Sequence, residues 1–224
     1  MTAVEKLLKL YSAWSCPYAQ RAWIGLLFKE IPFDYIEQDP YNKTPEWLAI
    51  NPRGLVPAMV LADGKVVYES SICLEYLDEA YPETANQILP KDAYQRAYCR
   101  IWGDFVSGNI GAPLYAILSK KGEEREESKK KLVAKLEQFM KEFKGPFFNG
   151  DHFGYVDIMV VPFLLRLDVL KHFRNFHPAD EIPDATLKQR FLDWDKALRN
   201  HHAVAPTIAT VQQFVEKYNG KYDD

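Results

Sequence analysis

Strand-like and helix-like segments alternate from Leu7 to Ala80, and beyond Tyr81-Pro82 no strand pattern recurs. A chain so ordered has to form a sheet covered by helices first and a purely helical region second. Leu7-Leu8-Lys9-Leu10-Tyr11 is a short apolar run closed by Ser12. Between Pro17 and Lys29 apolar residues recur at helical spacing, at Ala19, Ala22, Trp23, Leu26 and Leu27. Phe33-Asp34-Tyr35-Ile36-Glu37 alternates with period two, and Thr44-Pro45-Glu46 offers a helix cap, a proline at the first helical position and an acid in the first turn. Pro57 to Leu61 and Lys65 to Tyr68 are two further strands joined across Asp63-Gly64, a hairpin signal. Ser70 or Ser71 then caps a helix reaching about Ala80. A strand-helix-strand crossover gives parallel pairing and a hairpin gives antiparallel pairing, so the expected sheet is mixed and four-stranded.

A linker through Pro90 follows, and the rest reads as helices over 92–118, 124–143, 155–171, 184–198 and 204–217. Gly108, Gly111 and Pro113 are expected to bend or interrupt the first of them. Within 123–131, Glu126 with Lys130 and Glu127 with Lys131 are acid-to-base pairs at i,i+4, the mark of a solvated helix face. The expected organisation is an α/β domain over 1–81 and an all-α domain over 91–224.

Charge and composition then exclude several classes of function. The 224 residues carry 28 Lys+Arg against 31 Asp+Glu, a net charge of −3, so no basic surface points to nucleic acid. With 47% hydrophobic residues the chain can bury a large core, which excludes disorder as the main state. Met1-Thr2-Ala3-Val4-Glu5-Lys6 puts charge where a signal peptide needs an apolar stretch. The longest uncharged stretch, Phe105 to Ser119, is short of the roughly 20 residues of a membrane span. A cytoplasmic protein with no stable membrane span is expected. Cys16, Cys73 and Cys99 are widely spaced and form no CxxC pair, which fits a reducing compartment. The five histidines show no HExxH or related spacing, and no metal site is expected.

The chemistry concentrates at Trp14-Ser15-Cys16-Pro17-Tyr18. Proline at the first helical position sets Cys16 at a helix start, where unpaired N–H groups and the positive end of the dipole favour a thiolate over a thiol. Two readings of Cys16 stay open on spacing alone. It is a reactive thiol of that kind, or a small buried hydrophobe between two aromatic residues, as Cys73 and Cys99 are expected to be in their helices.

Ser15-Cys16-Pro17-Tyr18-Ala19-Gln20-Arg21, Lys43-Thr44-Pro45-Glu46-Trp47, Asn51-Pro52-Arg53-Gly54-Leu55-Val56-Pro57 and the run from Tyr68-Glu69-Ser70 to Glu79, followed by an all-helical region, resemble a cytosolic glutathione transferase. The likeness is greatest to the omega class, with the plant lambda class next, and spans nearly the whole chain. It implies a first domain of thioredoxin-like fold with glutathione as cosubstrate. Cys16 matches the omega residue that forms a mixed disulfide with glutathione, where most other classes place a tyrosine or serine. Pro57 matches the family's cis-proline, which turns Val56 so that its backbone N–H and C=O pair with the cysteinyl part of glutathione. Glu69 and Ser70 match the pair that holds the γ-glutamyl end, a carboxylate for the ammonium and a hydroxyl with helix-start amides for the carboxylate. Lys43 matches a lysine facing the glycyl carboxylate, with one extra residue before Pro45, and Tyr18 flanks the sulfur. Ser15 and Tyr11 are the rival catalytic residues.

The electrophile pocket of such an enzyme lies between its domains, and the candidates for it are Trp14, Tyr18, Ile110, Tyr115 and Arg166, of which Arg166 matches an omega arginine. Two departures from the family pattern stand out. Gly154 occupies the position of a serine or threonine cap before Asp157, and a C-terminal tryptophan near the omega pocket is absent. The implied activity is that of a monothiol transferase and reductase acting on glutathionylated proteins, small disulfides, dehydroascorbate or glutathionyl adducts, in a detoxifying homodimer. A conventional conjugating transferase, or a non-enzymatic relative such as a ligand carrier or a chloride intracellular channel-like protein, is the alternative.

Overall fold

The computed structural model describes residues 7–39, 41–218 and 220–222. The first part of the chain forms Leu8–Ser12 (β1), Pro17–Phe28 (α1), Phe33–Glu37 (β2), Pro45–Ile50 (α2), Ala58–Val60 (β3), Val66–Tyr68 (β4) and Ser70–Ala80 (α3). The sheet order is β2-β1-β3-β4, with β1 parallel to β2 and antiparallel to β3, and β3 antiparallel to β4. This is the mixed four-stranded sheet of a thioredoxin-like domain. In β1, Leu8 and Leu10 are buried while Lys9 between them is exposed, which is the period-two signature made physical. The Thr44 hydroxyl accepts the Trp47 N–H at 3.2 Å and starts α2, whose Trp47 indole is buried in one cluster with Ala13, Ala19, Val56 and Ala58.

Helices α1 and α3 approach closely at Gly25, where a Cβ would stand 2.5 Å from Leu74 Cδ2. Below this contact Lys29 and Asp78 form an ion pair at 3.2 Å, both side chains out of solvent. Asp78 also accepts the Ile88 and Leu89 N–H groups at 2.8 and 3.2 Å, and Lys29 donates to the Asn86 carbonyl at 3.1 Å. The extra bonds offset the desolvation of two buried charges. They also tie the linker to the first compact unit, which runs on to Leu89 and takes in His202–Thr207. That last segment belongs there because Gln20 Nε2 donates to the Thr207 carbonyl and hydroxyl at 3.1 and 3.0 Å.

The second unit holds Pro90–His201 and the chain from Ile208. Its helices are Ala93–Val106 (α4), Ala112–Ser119 (α5), Gly122–Met140 (α6), Tyr155–Leu164 (α7), Leu167–Arg174 (α8), Pro178–Glu181 (α9), Ala185–Asn200 (α10) and Val211–Lys217 (α11). A π-turn over Ser107–Gly111 joins α4 to α5, so the glycines widen the expected first helix there. Two expectations are corrected. The span 155–171 is two helices, because Pro162 has no amide hydrogen to give, the chain turns at Leu165–Arg166, and the Arg166 guanidinium bonds back to the Pro162 carbonyl. The span 204–217 is a short 3-10 turn at Ala205–Thr207 followed by α11, which starts where Thr210 and Gln213 cap each other. Helix α9, one turn begun by Pro178, was too short to carry a period of its own.

The core of this unit is aromatic. The Phe139 ring lies 5.5 to 5.6 Å from those of Trp102, Phe143, Phe148 and Trp194. Asp157 reaches into it and accepts from Phe148 N–H, Gly154 N–H and Trp194 Nε1 at 3.1, 3.2 and 3.2 Å. Burial outweighs these three donors and pushes its carboxyl up to about 7. Along α6 the residues from Glu123 to Lys131 are exposed or half-buried, and Glu126 pairs with Lys129. No helix among the described residues is long and apolar enough to cross a membrane.

Candidate active site

The reactive turn grows directly out of β1. The Ala13 carbonyl accepts the Cys16 N–H at 2.9 Å, and Cys16, in extended conformation, is the N-cap of α1 with Pro17 at the first helical position. Its side chain makes no capping hydrogen bond, so the sulfur is not spent on its own helix. Cys16 is partly exposed, whereas Cys73 and Cys99 are buried. Burial pushes the Cys73 thiol up to about 12 and the Cys99 thiol upward as well. Of the three thiols, Cys16 is the one within reach of solvent. It packs against an apolar cluster of Ala13, Ala19, Trp47, Val56 and Ala58.

That cluster joins Cys16 to the next element of the site. The Val56–Pro57 peptide is cis. Glu69 is the N-cap of α3 with φ of 72° and ψ of 120°, outside the regions an L-residue favours, and its carboxylate meets the Arg53 guanidinium. Ser70, the first residue of α3, is buried, and its Oγ accepts from Arg21 Nη1 at 3.2 Å. Arg21 is 2% exposed, and its guanidinium lies 5.0 Å from the centre of the Tyr18 ring. Arg21 therefore links the start of α1, with Cys16 and Tyr18, to the start of α3, with Glu69 and Ser70. Sequence reading did not single it out. The signal was available: Arg21 is the lone charged residue of α1.

Lys43 lies on the exposed side, where Nζ donates to the Arg53 carbonyl at 3.3 Å. Gly54, at φ of +61°, lets it cross there, since a Cβ would come within 2.8 Å of Lys43 Cδ. Ser15 is half-buried within the turn, and the Tyr11 ring stacks on Trp47 at 5.5 Å. Of the other expected pocket residues, Trp14 is half-buried in the same turn as Cys16, while Ile110, Tyr115 and Arg166 lie in the second unit. Ile110 is buried in the π-turn, and the Tyr115 carbonyl accepts the Ser119 hydroxyl at 2.8 Å. Arg166 is buried, with its guanidinium 5.2 Å from the Phe214 ring. Among the described residues no group of three or more His, Cys, Asp or Glu is placed to hold a metal.

The arrangement offers a thiol, a carboxylate, a hydroxyl at a helix start and a lysine on one unit. Residues 15–80 match the family model "Glutathione S-transferase, N-terminal domain" and residues 122–202 match "Glutathione S-transferase, C-terminal domain". The chain is 32% identical to glutathione S-transferase U25 of Arabidopsis thaliana, over 92% of this chain and 91% of that protein. It is 34% identical to the crystal structure of glutathione transferase Omega 3C from Trametes versicolor, covering 92% and 90% of the two chains at a TM-score of 0.83. It is 25% identical to the Tau-class enzyme of mango, covering 96% and 98% at a TM-score of 0.85. The similarities thus reach both classes, and the narrower omega expectation is not what they single out. The motifs at Cys16-Pro17, Val56-Pro57 and Glu69-Ser70, the two-part architecture and these matches have one explanation: the chain belongs to the glutathione S-transferase family, whose cosubstrate is glutathione.

Proposed function

We propose that the protein is an omega-like, glutathione-dependent thiol transferase and reductase with Cys16 as its nucleophile. The observation that carries this reading is the partly exposed Cys16 at the start of α1, where its side chain makes no capping hydrogen bond. The Cys16 thiolate attacks the glutathionyl sulfur of a mixed disulfide, the Cys16–glutathione bond forms as the substrate's S–S bond breaks, and the electron pair leaves on the substrate thiolate, which takes up a proton. A second glutathione thiolate then attacks the glutathionyl sulfur, releasing oxidised glutathione and regenerating Cys16. Dehydroascorbate and glutathionyl adducts are substrates of the same reductive kind.

In this reading Glu69 holds the γ-glutamyl ammonium, while Ser70 and the first amides of α3 hold its carboxylate. The Val56 backbone pairs with the cysteinyl peptide, Lys43 faces the glycyl carboxylate, and Tyr18 borders the sulfur. Arg21, bonded to Ser70, keeps that hydroxyl aimed. A second reading, conjugation of glutathione to an electrophile with Ser15 or Tyr11 holding the glutathione thiolate, is favoured by the likeness to the Tau-class structure.

Cys16→Ser separates the two. A hydroxyl of similar size remains at the helix start, but no disulfide can form there. Thiol transfer and dehydroascorbate reduction should collapse, while conjugation of an aryl halide should survive or rise. Wild-type protein treated with oxidised glutathione should gain one glutathione mass on the Cys16 peptide, removable by dithiothreitol. Full thiol transfer in Cys16→Ser, or an adduct confined to Cys73 or Cys99, would give the site to Ser15 or Tyr11.

A further inference from the structure

We propose that Glu37 is a positioning residue for the reactive turn: its carboxylate fixes the Trp14 peptide, so that Ser15 and Cys16 meet the substrate in one geometry. Strand β2 stays paired with β1 to its end, with Glu37 opposite Ser12 and the Gln38 N–H bonded to the Ser12 carbonyl at 2.7 Å. There the ladder stops. The chain leaves the sheet at Ala13 and folds into the turn that the Cys16 N–H to Ala13 carbonyl bond closes.

Between these two fixed points, the Trp14 N–H points back to the Glu37 carboxylate, 3.2 Å from Oε2 and 3.4 Å from Oε1. The carboxylate is itself held, because the Tyr35 hydroxyl donates to Oε2 at 2.8 Å. Tyr35 in turn packs its ring against Trp23 of α1 at 4.8 Å. Burial and the neighbouring Glu37 push the Tyr35 phenol well above its ordinary range. An exposed glutamate at a strand end ordinarily spends its carboxylate on water. This one accepts a backbone amide of the turn and an anchored phenol together.

A misplacement of about 1 Å at a reacting atom can cost up to about a hundredfold in rate. Alanine removes the clamp. Glutamine keeps it, since an amide oxygen in the place of Oε2 accepts both the Trp14 N–H and the Tyr35 hydroxyl.

The inference concerns the nucleophile's turn and so rests on the proposed site, but its test runs with either chemistry, because Ser15 and Cys16 share that turn. Steady-state kinetics of thiol transfer, or of aryl-halide conjugation if that is the activity present, should show kcat of Glu37→Ala down about tenfold with KM for glutathione within about twofold. The affinity is spared because the groups proposed to bind glutathione sit on other elements. Glu37→Gln should recover most of the lost kcat. Tyr35→Phe, which keeps the ring contact with Trp23 but releases the carboxylate, should show a smaller loss of the same kind and keeps the test valid if Glu37→Ala does not fold. Three results each overturn the proposal: kcat of Glu37→Ala within twofold of wild type, Glu37→Gln as impaired as Glu37→Ala, or wild-type kcat in Tyr35→Phe. Absence of thiol transfer in the wild type would sink the Cys16 mechanism while leaving the Glu37 comparison measurable by conjugation.

Discussion

The starts of α1 and α3 differ from those of α7 and α10 in what answers their first amides. At α10 the Asp184 carboxylate accepts from Thr186 and Leu187 N–H at 2.8 and 3.0 Å. At α7 the buried Asp157 takes the Gly154 N–H, and two further donors from the surrounding core. At α1 and α3 the cap residues are Cys16 and Glu69, and neither side chain bonds its own helix. A missing cap costs about 1 kcal/mol. Helices α7 and α10 avoid that cost, and α1 and α3, which carry proposed ligand residues, accept it. The difference teaches that Asp157 and Asp184 are spent on their own helix starts, whereas the side chains of Cys16 and Glu69 are not.

Asp157→Ala should give the largest effect. It strands three buried donors, so denaturant unfolding should show a loss of about 3 kcal/mol or more, while the folded fraction keeps wild-type turnover. Near-wild-type stability would break the distinction at its structural end. Glu69→Gln should do the reverse. It leaves stability within about 1 kcal/mol but raises KM for glutathione about tenfold, because a charged partner for the ammonium is lost. A large stability loss with unchanged KM would place Glu69 beside Asp157.

The pH dependence of stability sharpens the same contrast. With its carboxyl raised to about 7 in the native state, Asp157 binds its proton more tightly when folded than when unfolded. Its titration therefore contributes stability that is fully present below about pH 4 and is lost as the pH rises through about 7. Asp157→Asn lacks that contribution, so the wild-type advantage in Tm over this variant should shrink across the interval. A gap that is flat or widens with pH would show that the three N–H donors, not burial, dominate at Asp157. The smallest effect is expected from Glu69→Gly. Glycine adopts the φ of 72° freely, so stability should hold or rise by up to about 1 kcal/mol as glutathione affinity falls.

The legible parts of the molecule were those written in short-range pattern. All four strands and the first three helices lie where alternation, helical spacing, Pro45 after Thr44 and the Asp63-Gly64 pair put them. The break at Leu165–Arg166 escaped because apolar residues continue through it, and they mask the local signal of Pro162, whose carbonyl the Arg166 side chain bonds one turn later. Gly154 before Asp157 was recognised as a cap without an acceptor, and the Asp157 carboxylate supplies the missing bond to Gly154 N–H. What the pattern could not say is that the same carboxylate also reaches Phe148 and Trp194.

By itself the amino-acid sequence determined the order of the elements and the placing of Cys16 at a helix start, since hydrophobic period, proline and capping act over three or four residues. Which thiol stays accessible, and which side chains aim the site, only the tertiary structure decided. Arg21 meets Ser70 across 49 residues, Trp14 meets Glu37 across 23 and Arg53 meets Glu69 across 16. No local pattern spans such distances, because these pairs exist only after the sheet has set β1 beside β2 and the buried contact at Gly25 has drawn α1 against α3.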